Sequence, residues 1–152
     1  MGFFARLESR KNLNLLLSRK VRWDQIFGED AYAFEPWGDR LWMVRTPVVD
    51  IGFGRDNDGD RSAYIKLASE PYDDRYAFGC LASLWGEFIG VQWTDWPRDN
   101  DGRVALSPEQ QLDVQVSLIE RLVREVFSDE SKTKQAAEFI EQKIKEYNSE
   151  WD

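Results

Sequence analysis

The strongest constraint on the fold is a pair of apolar alternation patterns on either side of the stretch GRDNDGDR, residues 54–61. Before this stretch, Val49, Ile51 and Phe53 alternate with Asp50 and glycine. A period of two places alternate side chains on the same face of a β-strand. Aspartate, asparagine and glycine suit the backbone of a tight turn between two strands. We therefore expect an antiparallel hairpin, whose second strand has the buried side chains Ala63, Ile65 and Leu67.

The pentapeptide Arg-Asp-Asn-Asp-Gly occurs in this stretch and again at residues 98–102, between the strand-like segments VQWTDW and RVAL. The repeat predicts the same turn at a second hairpin. A calcium loop of the EF-hand type needs glycine at its sixth position and glutamate at its twelfth. Counting back from Gly59 places Ile65 at the twelfth position, so that pattern does not fit. An irregular cation site remains the alternative for Asp56, Asp58 and Asp60.

The rest of the chain predicts one more hairpin and a set of helices. The segment AYAFEPWGDRLWMV has two aromatic-rich runs around a turn at residues 36–39. Helical spacing of apolar residues covers about 3–21, 80–90 and 107–127, and a last helix starts within SDES at 128–131. We expect Asp73 and Asp74 at the start of the second helix and a Ser107–Gln110 capping box at the third.

These elements predict a single α+β domain over residues 1–152. It would contain about six short strands in an antiparallel sheet and about four helices. Their order would be one helix, four strands, one helix, two strands and two helices. This order, with an isoelectric point of about 4.7, resembles the architecture of the small secretion chaperones.

Composition excludes several kinds of chemistry. The chain has no histidine, so it cannot build a Ser-His-Asp or Cys-His catalytic group or a histidine-ligated metal centre. Cys80 is its only cysteine and cannot form an intrachain disulfide. The first residues lack a secretory signal. We therefore expect a cytoplasmic protein without a cofactor or metal centre.

The net charge of −8 is distributed unevenly. Residues 1–22 carry six basic residues against Glu8, a net charge of +5, which leaves −13 on the remaining 130 residues. An acidic body repels phosphates, so we do not expect nucleic acid as a partner.

The first predicted helix is amphipathic, with an apolar stripe opposite its basic residues. Its cations could contact an anionic membrane through Arg6, Arg10 and Lys11. We favour docking of this helix on the acidic body or on a second copy, and a homodimer stays open. The apolar stripe contains Phe3, Phe4, Leu7, Leu13, Leu17 and Val21, and Leu15 and Leu16 widen it.

Tryptophans beside aspartates suggest a binding surface. Trp93 and Trp96 are three residues apart in a predicted strand and would point to opposite faces, while Trp37 stands at a turn. We expect a non-enzymatic module that binds a basic surface of a protein partner, like a secretion chaperone, an immunity protein or an inhibitor. Helices that cover both faces of the sheet are the alternative explanation. The expected contact residues are Trp37, Asp56, Asp58, Trp96, Asp99 and Asp101.

Two other functions remain open. Glu87 or Asp95 could serve as the acid or base of a small carboxylate-dependent enzyme that acts on sugars. The basic first helix could instead anchor a peripheral membrane protein.

Overall fold

The computed structural model describes residues 3–36, 42–55, 61–70, 79–92 and 96–151, with the side chains of 3–9, 55, 150 and 151 outside the description. The chain divides into two compact units, Met1–Glu70 and Pro71–Asp152. Within the described residues there are five α-helices and one four-stranded antiparallel sheet. The α+β class is therefore confirmed. The single domain over residues 1–152 stays a prediction.

The first unit consists of two helices followed by the sheet. Its strands are antiparallel and pair in chain order, so each strand contacts the strand that precedes it. The elements are α1 (Phe3–Leu17), α2 (Lys20–Phe27), β1 (Ala33–Pro36), β2 (Trp42–Arg45), β3 (Val49–Arg55) and β4 (Arg61–Leu67).

Both hairpins predicted in this unit are confirmed. β3 pairs with β4 from Val49↔Leu67 to Arg55↔Arg61, and β1 pairs with β2 from Ala33↔Arg45 to Pro36↔Trp42. The alternating apolar side chains of β3 and β4 are buried, and Leu67 is less buried than the others. The connecting residues 37–41 and 56–60 lie outside the described residues, so the cation alternative at Asp56, Asp58 and Asp60 stays untested.

The single helix predicted at 3–21 is wrong, because α1 ends at Leu17 and α2 starts at Lys20. The Leu16 carbonyl accepts hydrogen bonds from the Arg19 N–H (3.1 Å) and from the Trp23 Nε1–H (3.0 Å). These bonds close the last turn of α1 and bring Trp23 back against it. Trp23 is fully buried and packs edge-on against Phe53 of the sheet, with ring centroids 5.7 Å apart.

The buried side of this helical segment also differs from the predicted stripe. Leu16 and Asn12 are buried, whereas Leu17 and Val21 are exposed. The reorientation at Ser18–Arg19 changes which side faces the sheet, so helical spacing counted across the break no longer identifies one face.

The second unit is helical wherever it has regular structure in the described residues. α3 packs against α4 and α5. The predicted capping box is present, since Gln110 N–H donates to Ser107 Oγ (3.2 Å) and Ser107 N–H donates to Gln110 Oε1 (2.8 Å). The elements are α3 (Ala82–Phe88), α4 (Pro108–Leu122), a π-helical turn (Val123–Phe127) and α5 (Glu130–Trp151).

Two helix boundaries in this unit differ from the sequence prediction. α3 begins at Ala82, so Asp73 and Asp74 do not lie in its first turn. It ends at Phe88, just before the predicted stop at Gly90, whose φ of +80° suits glycine. The π-helical turn was not predicted; it widens the end of α4, with Ser128 N–H donating to the Val123 carbonyl, and buries Val126 and Phe127.

The predicted fifth and sixth strands are not found in the described residues, outside which residues 93–95 of VQWTDW lie. In the described residues of this region only one β-bridge forms, between Arg98 and Val104. Pro97 has no N–H to donate, and the Leu106 carbonyl accepts from Gln111 Nε2 of α4 (2.9 Å) instead of from a strand. The ladder therefore stops after one pair, and the element order behind the secretion-chaperone resemblance is not found.

Candidate functional site

Only three of the six predicted contact residues belong to the part of the chain that the structure describes. Trp37, Asp56 and Asp58 lie outside the described residues. Asp99 and Asp101 are exposed and belong to the second pentapeptide, while Trp96 keeps only 7% of its surface exposed. The expectation of an exposed ring is therefore wrong at Trp96.

The second pentapeptide forms a tight turn that its own aspartate holds in place. One carboxylate oxygen of Asp99 accepts hydrogen bonds from the N–H groups of Asp101 (2.9 Å) and Arg103 (3.0 Å). Gly102 has a φ of +79°, which side chains rarely adopt. The turn chemistry predicted from the sequence is confirmed at this copy. Asp99 is therefore a structural residue of the turn, and Asp101 is the carboxylate that the turn exposes.

Charges within this turn nearly balance. Arg98 Nη1 donates to the Gly102 carbonyl (3.1 Å), and Arg103 is exposed at the other end. Two arginines therefore accompany two aspartates over residues 98–103. The turn presents two carboxylates flanked by two arginines, and the acidic excess of the second unit lies elsewhere.

The sheet contains a charge cluster that the sequence reasoning missed: Glu35, Arg45, Asp50 and Lys66, called here the sheet charge cluster. Asp50 is 2% exposed. The register places it directly opposite Arg45 on β2 and Lys66 on β4. Arg45 Nε lies 3.5 Å from one carboxylate oxygen, and Lys66 Nζ lies 3.3 Å from the other.

The two cations balance Asp50 without hydrogen bonds to it. Neither Asp50 oxygen accepts a hydrogen bond from the described residues, and both cation contacts are ion pairs at 3.3–3.5 Å. Lys66 Nζ donates instead to the carbonyls of Leu67 (3.0 Å) and Glu70 (2.6 Å). The negative charge of buried Asp50 is compensated only in the register that places Arg45 and Lys66 opposite it. The cluster therefore specifies how the three strands align.

The outer end of the cluster is at the surface. Arg45 Nη1 donates to Glu35 Oε2 on β1 (3.0 Å), and both side chains are about half exposed. The hydrogen bond with Glu35, and then the charge of Asp50, raise the pKa of Arg45, which stays protonated. A hairpin centred on Asp58 pairs Asp50 with Lys66, so the sequence did contain a signal for this contact.

The basic residues proposed for anion contact lie on α1. Arg10 and Lys11 are exposed, and the side chain of Arg6 lies outside the description. No described helix combines the length and the hydropathy that crossing a membrane requires. The same helical segment exposes Leu17 at the end of α1 and Val21 at the start of α2, both of which the sequence had placed inside.

A second polar network joins α2 to the segment before β1. Asp24 accepts a hydrogen bond from the Tyr32 hydroxyl (2.5 Å) and two from Lys20 Nζ (3.1 Å each). The hydrogen bond from Tyr32, followed by that from Lys20, lowers the pKa of Asp24. Burial, followed by the bond to Asp24, raises the pKa of Tyr32. The network stabilises the carboxylate form of Asp24.

The carboxylates proposed for sugar chemistry are not brought together in the described structure. Glu87 has a side chain that is 48% exposed and lies 3.8 Å from Lys143 Nζ, while Asp95 lies outside the described residues. An exposed, ion-paired carboxylate lacks the apolar surroundings that a glycosidase acid needs. The part of the chain that the structure describes contains no group of three or more potential metal-ligating acidic or cysteine side chains.

Comparison of the chain with known protein families, curated proteins and solved structures gives no match.

Proposed function

We propose that the protein is a non-enzymatic binding module whose acidic second unit covers a basic surface of a partner protein. The observation that carries this proposal is the separation of charge between the two units. Residues 1–70 contain 11 basic and 11 acidic residues, whereas residues 71–152 contain nine basic and 17 acidic residues. The whole net charge of −8 therefore belongs to the second unit.

Such a separation favours recognition of a basic protein. Charges of one sign on a compact unit produce a field that steers an oppositely charged partner and speeds association. The first 14 residues of the α4 region, 107–120, contain three acidic residues and no basic one. Of these, Glu109 is exposed, and Asp113 and Glu120 are partly exposed.

The ordered turn at residues 98–103 supplies specificity in addition to the negative charge of Asp101. Its backbone is fixed by the Asp99 carboxylate, so Asp101, Arg98 and Arg103 are held at defined positions with little conformational freedom to lose. Preorganised surface groups lose less entropy when a partner binds. A secretion chaperone, an immunity protein and an inhibitor are three kinds of protein that this surface suits.

Affinity capture with charge variants tests the proposal. The immobilised full chain is exposed to native lysate at low and at high salt, and captured proteins are quantified by mass spectrometry. Basic partners should be recovered at low salt and lost at high salt. Capture confined to acidic or neutral proteins, with no effect of salt, would contradict the proposal.

The variants must separate recognition from turn stability. Asp101→Lys reverses an exposed charge and should reduce recovery of the partner several-fold. Asp99→Asn removes the charge but keeps an oxygen that can accept from the two N–H groups. Asp99→Ala removes the charge and that acceptor oxygen. Lys132→Glu on α5, an exposed position, is the control for added negative charge and should leave recovery equal or higher.

A further inference from the structure

The α1–α2 segment exposes two apolar side chains that its own unit does not cover. Val21 is 71% exposed, the highest value among the large hydrophobic side chains that the structure describes, and Leu17 is 44% exposed. They lie four residues apart at the break between the helices. The interior positions of the same segment are taken by Leu16 and Trp23, so the exposed pair contributes nothing to the core.

Positive charge surrounds this pair. Residues 10–27 contain five basic residues and one acidic residue, Asp24, a net charge of +4. Arg10 and Lys11 are exposed, and the side chain of Lys20 is 56% exposed while it pairs with Asp24. These exposed side chains belong to two successive helices; we use the name basic apolar face for the set Arg10, Lys11, Leu17, Lys20 and Val21.

We propose that the basic apolar face docks on the surface of a membrane that contains anionic phospholipids. Cations attract the lipid phosphates, while short apolar side chains enter the boundary between headgroups and acyl chains. The complementarity of charge selects an anionic surface. The shape selects lipid over protein, because a fluid surface adapts to two side chains on a convex helix, whereas a protein partner needs a matching groove.

The expected binding is shallow and reversible. Two aliphatic side chains bury little apolar area, so most of the affinity comes from the cations and falls as salt screens them. The inference is independent of the proposed function, since the capture experiment varies residues 99–101 and the membrane experiment varies residues of α1 and α2.

Vesicle flotation with the full chain tests the proposal. Vesicles of phosphatidylcholine alone are compared with vesicles that also contain phosphatidylserine, at low and at high salt. The protein should float with the anionic vesicles at low salt and stay behind with the neutral vesicles. Absence of flotation with anionic vesicles at low salt, or equal flotation with both kinds, would overturn the proposal.

Matched variants identify the surface. Arg10→Glu with Lys11→Glu should reduce binding at least about tenfold, because each cation near an anionic surface contributes roughly a factor of five. Leu17→Ser with Val21→Ser should reduce binding several-fold. Val114→Ser on α4, where the side chain is 43% exposed, and Lys132→Glu on α5 are the controls and should bind like the original chain.

Two further measurements test whether the variants are folded and whether a second copy of the chain covers this face. Circular dichroism establishes that each variant is folded, as expected for changes at exposed positions. Light scattering after gel filtration gives the mass in solution. A dimer that Val21→Asp converts to a monomer would show that a second copy covers this face, which would overturn the membrane proposal.

Discussion

In the first unit, acidic and basic residues are equal in number and one carboxylate, Asp50, is buried in the sheet beside two cations. In the second unit, acidic residues outnumber basic ones, and the described polar side chains that are buried are the neutral amides Gln111 and Gln115. Charge in the first unit therefore contributes to strand alignment. Charge in the second unit stays at the surface, where it can attract a partner.

The largest expected loss of stability comes from removing the buried charge of the first unit. Asp50→Ala leaves Lys66, which is 13% exposed, without its counter-charge. Removal of one member of a buried ion pair costs about 3 kcal/mol of unfolding free energy. Urea denaturation of the full chain measures this loss.

The matched control for Asp50 is Glu35→Ala, at the exposed end of the same cluster. An exposed ion pair contributes less than about 1 kcal/mol, so this variant should unfold close to the original chain. Equal losses of unfolding free energy in the two variants would show that burial does not determine how much a charged residue of the sheet contributes to stability.

The next effect concerns packing in the second unit. A Cβ at residue 79 would overlap Ile144 Cδ1 and lie 2.7 Å from Ile144 Cγ1 on α5. Gly79→Ala should therefore lower the unfolding free energy by about 2 kcal/mol. Calorimetry or urea denaturation measures it. The double variant with Ile144→Ala should lose less than the sum of the two single losses, and strict additivity would contradict this contact.

Gly86 provides the comparison for Gly79. A Cβ there would lie 3.2 Å from Leu118 Cδ1, the flexible end of a side chain. Alanine also gains about 1 kcal/mol of helix propensity over glycine. We expect Gly86→Ala to change stability by less than about 1 kcal/mol in either direction.

A smaller effect tests the capping box of α4. Ser107→Ala removes the oxygen that accepts the Gln110 N–H and should cost about 1 kcal/mol. Ser107→Asp restores an acceptor and should recover most of the loss in a urea titration. No recovery would mean that the Ser107 hydroxyl contributes through something other than the cap.

The smallest effect is the pH dependence of the Asp24 network. The folded chain lowers the pKa of Asp24 below its usual 3.8, so the network contributes stability above that pH and loses it as pH falls through the folded pKa. Tyr32→Phe removes the main cause of the shift. The original chain should exceed Tyr32→Phe in stability near neutral pH and converge with it in acid.

The Asp24–Tyr32 hydrogen bond should also lose its contribution to stability as pH rises. The pKa of Tyr32 is raised above 10.0, so its neutral form contributes stability that is lost as pH rises through the folded pKa. The stability difference from Tyr32→Phe should therefore shrink at both extremes of pH. A difference that stays constant would contradict the network.

The sequence was most informative where the pattern was local. Alternation around residues 54–61 predicted both strands of the central hairpin, and Ser107 with Gln110 predicted the start of α4. Each of these signals depends on a few neighbouring residues, and no distant contact overrides it in the structure. The turn at residues 98–102 was predicted for the same reason.

The sequence failed where a distant or single contact decided the structure. Alternation near Trp96 suggested strands, but Pro97 and the Gln111–Leu106 hydrogen bond limit the pairing to one bridge. Periodicity also continued across residues 18–19, where the bonds to the Leu16 carbonyl end α1. Trp96 was expected in a binding surface because Trp93 and Trp96 would point to opposite faces of a predicted strand, and its burial could not be derived from that spacing.

We expect the excess negative charge of Pro71–Asp152 to attract a basic partner. Stopped-flow association of the full chain with a purified partner from the capture experiment tests it directly, over a range of salt concentrations. The account predicts an association rate that falls steeply with salt and falls further in Asp101→Lys. A rate that is independent of salt and unchanged in that variant would contradict it.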